Sequence, residues 1–215
     1  MTLKYERVGP DDATSAIVFL HGYGADGADL LSLADPLSQV LPETAFFAPD
    51  APDPCVINPM GRQWFPIPRM DGSTEAQAGA AMAASADLLN AFLDGVVADE
   101  NVGAKRLMLV GFSQGTMMSL HVAPRRPDPI AGIAGFSGRL IMPGALAEAA
   151  LTKPPVLLLH GNADDVVPFA SMAEAQTALA GAGFSVDTFV MDGVAHGISP
   201  QGLQRAAQFI VPLLR

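Results

Sequence analysis

The sequence predicts an α/β fold, a mostly parallel sheet covered by helices on both faces. Apolar runs of strand length alternate with longer segments of helical periodicity along all 215 residues. The strand runs are nearly unbroken in apolar character, as strands buried on both faces require. No repeat, low-complexity tail or linker divides the chain, so residues 1–215 are expected to form a single domain without a large cap.

Each element follows from its local pattern. Ala16-Ile17-Val18-Phe19-Leu20 reads as a strand, and residues 29–40 as a helix interrupted near Pro36. Ala45-Phe46-Phe47-Ala48 is the next strand, and the Pro-rich residues 49–68 should form an ordered, irregular loop. Leu89, Phe92, Leu93 and Val96 recur at helical spacing within residues 73–98, with Ser73 as the cap. Arg106-Leu107-Met108-Leu109-Val110 is a strand, followed by a helix that can run from Thr116 until Pro124. Strands are expected at 130–136, 155–160 and 185–191, and a helix over 169–179 closed by Gly181. Leu203, Ala206, Ala207, Ile210 and Leu214 give the last helix its apolar face.

Composition narrows the function classes. Half of the residues are hydrophobic and 16% are charged, which describes a well-buried globular protein rather than a disordered one. A net charge of -10 repels nucleic acid and anionic membrane surfaces. No stretch offers the roughly 20 uninterrupted apolar residues of a membrane span. The opening Met1-Thr2-Leu3-Lys4-Tyr5-Glu6-Arg7 lacks the basic-then-apolar layout of a signal peptide. The lone Cys55 can form no internal disulfide, which fits a reducing cytoplasm.

Chemistry concentrates at Gly111-Phe112-Ser113-Gln114-Gly115, which stands between a predicted strand and a predicted helix. A Gly-x-Ser-x-Gly in that position is a nucleophile elbow: the tight turn strains the serine and exposes its hydroxyl at the end of the sheet. A serine hydroxyl is a weak nucleophile until a base accepts its proton, and four histidines compete for that role. His21 and His160 end strands and precede glycines, where local hydrogen bonding is expected. His121 lies within a helix. His196 sits in the turn-rich Asp192-Gly193-Val194-Ala195-His196-Gly197 between the last strand and last helix, and from there it can hang over Ser113.

The base needs an acid to fix its tautomer and stabilise the imidazolium. His160-Gly161-Asn162-Ala163-Asp164-Asp165-Val166-Val167-Pro168 offers two adjacent carboxylates directly after a strand, and chemistry alone does not choose between them. Serine, then acid, then histidine is the chain order of α/β-hydrolases. The oxyanion of the tetrahedral intermediate would meet the backbone N–H of Gln114 and, from the Gly-rich loop after Leu20, that of Tyr23. A Gly-rich loop can also cradle phosphate, but no Gly-Lys-Ser/Thr follows this one. Gly135-Phe136-Ser137-Gly138 also ends a strand, yet Arg139 breaks the elbow spacing, so Ser137 is expected to be structural. Histidine and cysteine are scattered without ligand spacing, so neither a metal nor a cofactor is expected. Asp50, Asp53 and Asp71 read as solvated charges or turn formers.

With these motifs the chain resembles the phospholipase/carboxylesterase group of α/β-hydrolases, which includes acyl-protein thioesterases and small bacterial carboxylesterases. The likeness runs from Leu20-His21-Gly22-Tyr23-Gly24 through Trp64-Phe65 and Gly111-Phe112-Ser113-Gln114-Gly115 to His160-Gly161 and Ala195-His196-Gly197. The family's His-Gly-x-x-Asp, ending in Val-Pro, falls on His160, Gly161, Asp164, Val167 and Pro168, and so implies Asp164 over Asp165. The resemblance also implies Tyr23 and Gln114 as oxyanion-hole donors.

The resulting expectation is a serine carboxylesterase with Ser113, His196 and Asp164 as its triad and a small-molecule ester as substrate. Trp64, Phe65, Ile67 and Met70 are expected to line an apolar acyl site, with a loop anchor as the competing role for Trp64. An acyl-protein thioesterase or lysophospholipase is the alternative within the family. A binding protein that keeps the fold without catalysis is the rival outside it. Monomer and homodimer both remain open.

Overall fold

A computed structural model describes residues 2–215. In chain order the strands are β1 (Tyr5–Val8), β2 (Ser15–Leu20), β3 (Thr44–Pro49), the two-residue β4 (Asp53–Pro54) and β5 (Arg62–Gln63), β6 (Leu107–Phe112), β7 (Gly132–Phe136), β8 (Val156–Gly161) and β9 (Val186–Met191). The helices are α1 (Gly27–Leu31), α2 (Ala34–Ser38), α3 (Pro68–Asp71), α4 (Glu75–Asp99), α5 (Gln114–Val122), α6 (Leu146–Ala149), α7 (Ala170–Gly181) and α8 (Pro200–Leu214).

Seven strands join in the order β1-β3-β2-β6-β7-β8-β9, while β4 and β5 form a separate hairpin. Every neighbouring pair in the large sheet is parallel except β1 with β3. Alternate residues of each central strand feed two different core layers. Val18, Leu20, Leu109, Val156 and Leu158 join Leu89 and Leu93 of α4, Met118 of α5 and Leu179 of α7. Ile17, Phe19, Met108, Val110, Leu157 and Leu159 join Leu30 of α1, Leu37 of α2 and Ile210 of α8 on the other face. Both faces are therefore apolar, which is why these strands read as continuous hydrophobic runs.

Several boundaries differ from the sequence expectations. β1 was not expected: its residues are largely exposed, and it exists because its backbone pairs with β3 at the sheet edge. The helix expected over 29–40 divides at Ser32–Leu33, and Pro36 falls inside the first turn of α2, where its missing N–H costs nothing. Thr74, not Ser73, caps α4, in a reciprocal capping box with Gln77. By length and composition α4 could cross a bilayer, with a mean hydropathy of 1.3 over its most apolar window. Here Met82, Ala86, Leu89, Leu93 and Val96 bury one side of it in the core.

The strand order positions the site. From β2 the chain moves outward to β3, then returns to β6 on the opposite side of β2. The loops leaving β2 and β6 consequently diverge at the carboxyl edge of the sheet and open a crevice there, the usual place for a ligand in such sheets. No large cap covers that edge among the described residues; the hairpin, α3 and their loops border it.

Candidate active site

Ser113 separates β6 from α5 with φ 52° and ψ -114°, a left-handed conformation that a non-glycine residue adopts only under constraint. Its N–H donates to Phe136 O at 2.8 Å, and its carbonyl accepts from Met117 N at 3.2 Å. Gly115 makes the turn possible, since a Cβ there would run into the Leu20 carbonyl. The helix can thus lie directly against the end of β2. Ser113 itself is 8% exposed at the carboxyl edge of the sheet.

Asp164 and His196 come from the loops after β8 and β9. His196 Nδ1 stands 2.8 Å from Asp164 Oδ2. A carboxylate oxygen accepts, so Nδ1 carries the hydrogen and Nε2 is left free to take a proton. Asp164 Oδ1 accepts two backbone N–H groups, from Val166 and Val167, each at 2.9 Å. Burial opposes ionisation of Asp164 more than any single partner favours it. The His196 hydrogen bond and the two amides together prevail and hold the carboxyl below its usual range. Asp165 is exposed, whereas the Asp164 side chain is wholly buried. The imidazole of His196 packs on Phe112, the residue before Ser113, with ring centroids 4.9 Å apart. Ser113 Oγ makes no hydrogen bond to that imidazole among the described residues, and such contacts often tighten only when substrate is bound.

The loop after β2 approaches the serine from the other side. A Cβ placed on Gly22 would stand 3.1 Å from Phe112 Cδ1 and 3.3 Å from Ser113 Cβ, a tight fit that a glycine avoids. Neither the Tyr23 nor the Gln114 backbone N–H has a hydrogen-bond partner among the described residues, and Gln114 opens α5, whose first-turn donors point outward. The Tyr23 hydroxyl donates to Asp71 Oδ2 at 3.3 Å, and burial first, then the neighbouring Cys55 and Asp71, raises its pKa. Asp71 also accepts from the N–H groups of Ile67 and Ser73, which makes it a turn former.

The side chain of Gln114 was not singled out from the sequence, although its backbone was. Its Oε1 accepts from Trp64 N at 2.8 Å and its Nε2 donates to Phe65 O at 2.7 Å. Trp64 Nε1 donates to His21 O at 3.1 Å, and Ser85 Oγ donates to Trp64 O. Trp64 is 0% exposed, so it offers an acyl chain no surface and is a loop anchor. Phe65 is buried beside it, Ile67 is half-buried, and Met70 is 43% exposed on α3.

His21 and His121 stand apart from Asp164. His21 Nε2 accepts from Ala51 N at 3.0 Å, so its Nδ1 is the protonated nitrogen and donates to Gly22 O at 2.7 Å. Burial lowers its pKa. Burial, then the charge of Arg125, lowers His121 to about 4. Ser137 is fully buried, with φ 47° and no partner for its hydroxyl among the described residues. No group of three or more His, Cys, Asp or Glu is placed to hold a metal ion among the described residues.

The profile of the phospholipase/carboxylesterase family matches residues 7–214. The chain belongs to that family. Esterase YpfH of Escherichia coli (strain K12) is 29% identical over 201 residues, which span 92% of this chain and 82% of that protein. Acyl-protein thioesterase 1 of Mycosarcoma maydis is 33% identical over 172 residues, 73% of this chain and 71% of that one. The crystal structure of esterase PE8 superposes with a TM-score of 0.93 at 36% identity and covers 100% of both chains. This phospholipase/carboxylesterase family member is accordingly an α/β-hydrolase and a carboxylesterase, a serine hydrolase.

Proposed function

We propose that the protein hydrolyses carboxylic esters through an acyl-enzyme on Ser113, with His196 as general base and Asp164 as its orienting acid. The bond between His196 Nδ1 and Asp164 Oδ2 carries this reading, because it leaves Nε2 free to accept a proton on a ring that packs against Phe112, the neighbour of the strained serine. Ser113 Oγ attacks the acyl carbonyl as its proton passes to His196 Nε2. The N–H groups of Tyr23 and Gln114 receive the oxyanion. The imidazolium then protonates the leaving alcohol, and water activated by the same nitrogen releases the acid. Ile67 and Met70 border the acyl group, and the net charge of -10 favours uncharged or cationic substrates over polyanions. A single buried Cys55 suits a reducing compartment.

A second reading, hydrolysis of thioesters on acylated proteins, is supported by the thioesterase relative and by the unobstructed sheet edge. Ser113→Ala should lower hydrolysis of p-nitrophenyl butyrate on the order of a millionfold and abolish labelling by a fluorophosphonate. Retention of a few per cent of the activity would remove Ser113 from the role. Comparing p-nitrophenyl esters with acyl thioesters on the native protein separates the two readings.

A further inference from the structure

Two imidazoles, not one, reach the Asp164 carboxylate. His160 Nε2 lies 3.2 Å from Asp164 Oδ2, the same oxygen that receives His196 Nδ1. It also lies 3.0 Å from Val167 O. A carbonyl oxygen only accepts, so Nε2 bears a hydrogen and donates it to Val167 O, with Asp164 Oδ2 in close contact beside that bond.

We infer that His160 is a positioning residue of the hydrolytic centre, whose Nε2–H, bonded to Val167 O, holds the turn that carries the Asp164 carboxylate in the orientation that His196 requires. The inference rests on the triad reading above. It begins with a closed circuit: Val167 N donates to Asp164 Oδ1 at 2.9 Å, while Val167 O accepts from His160. Val167 is thereby gripped at both ends, and the turn from Asp164 to Val167 cannot swing without breaking a bond.

His160 is also anchored differently from its partners. It is the penultimate residue of β8 and pairs in register with Val190 of β9, whereas Asp164 and His196 both stand on loops. Its ring is 2% exposed and meets Phe169 edge-on, with centroids 6.0 Å apart at 76°. A strand-borne imidazole so enclosed transmits the rigidity of the sheet to a loop-borne carboxylate. Both side chains are buried, so an N–H or carboxylate oxygen left unpaired there is costly. The Asp164 carboxylate, held through Oδ1 by the two amides of that turn, then keeps the direction in which Oδ2 meets His196 Nδ1.

The test compares His160→Leu, which removes the donor, with His160→Gln, whose amide N–H can reach the place of Nε2. Kinetics on p-nitrophenyl butyrate are expressed per active site titrated with a fluorophosphonate, so that loss of folded protein does not count. His160→Leu should lower kcat on the order of tenfold to a hundredfold, with KM within about twofold of native, because orientation and not binding is lost. His160→Gln should recover most of that kcat. A kcat per site within about twofold of native in His160→Leu, or an equal loss in both variants, would overturn the inference. A measurement on the unaltered protein guards against variants that do not fold. Long-range ¹⁵N spectra at neutral pH should show His160 with its hydrogen on Nε2, and a hydrogen on Nδ1 alone would overturn the inference. Failure of the fluorophosphonate to label native Ser113 would instead defeat the triad reading itself.

Discussion

The side chain of Gln114 spans 50 positions of sequence to take the backbone N–H of Trp64 at 2.8 Å, and returns an N–H to Phe65 O. Under the proposed mechanism the residue after Ser113 therefore has two separate tasks. Its backbone N–H is free for an oxyanion, while its amide group closes the loop that follows the β4–β5 hairpin.

Gln114→Ala tests that division. It leaves the backbone N–H in place but strands a buried N–H and a buried carbonyl, each worth about 1–3 kcal/mol. The expected outcome is a loss of unfolding free energy on the order of 2 kcal/mol or more in urea titration. Labelling of Ser113 by a fluorophosphonate should persist at temperatures where the variant is folded. Unchanged stability would show that the loop holds itself closed without Gln114.

Adjacent carboxylates allow a paired experiment. Asp164→Asn replaces an acceptor met by three donors with an amide whose NH2 faces them, and favours the wrong imidazole tautomer. A fall in kcat on the order of ten-thousandfold is expected. Asp165→Asn alters an exposed side chain and should leave kcat within about twofold. Equal losses in the two variants would contradict the assignment of the acid.

His121 makes stability depend on pH in a defined direction. Folded, it resists its proton down to about pH 4, through burial first and the charge of Arg125 second. Unfolded, a histidine binds that proton near pH 6.5. Between those values the unfolded chain holds more protons, so this contribution is complete above about 6.5 and is lost as the pH falls toward 4. Partial exposure of the ring to water reduces the effect to about 1–2 kcal/mol. Thermal melts from pH 7.5 to 5 should show Tm falling in the native protein and falling less in His121→Gln. The depressed His21 keeps some slope in that variant, and Asp164 acts only at still lower pH. An identical slope in both proteins would exclude His121 as a source.

The central strands were legible because their burial on both faces leaves an unbroken apolar signature, as in Val156 to Leu159. β1 was not, because Tyr5, Glu6, Arg7 and Val8 owe their extended form to a partner some 40 positions away rather than to their own pattern. At the site, the order of Ser113, Asp164 and His196 could be read from residue type and place. The preference for Asp164 over Asp165 came from the resemblance, and the two carboxylates differ in burial, Asp164 being enclosed and Asp165 exposed. Trp64 shows the opposite limit. Its size suggests a wall for an acyl chain, and nothing local reveals that Gln114, His21 and Ser85 hold it inside.

That enclosure gives the molecule an internal reporter. Trp64 is the sole tryptophan of the chain, and its ring lies 5.6 Å from that of His21, at the start of the loop after β2. Emission excited at the red edge therefore originates from one spot, hydrogen-bonded to Gln114, the neighbour of Ser113. Its colour and quenching follow the opening of that spot to water, while far-ultraviolet circular dichroism follows the sheet and helices as a whole. Two spectroscopic signals thus separate loosening of the catalytic crevice from collapse of the scaffold, without any label.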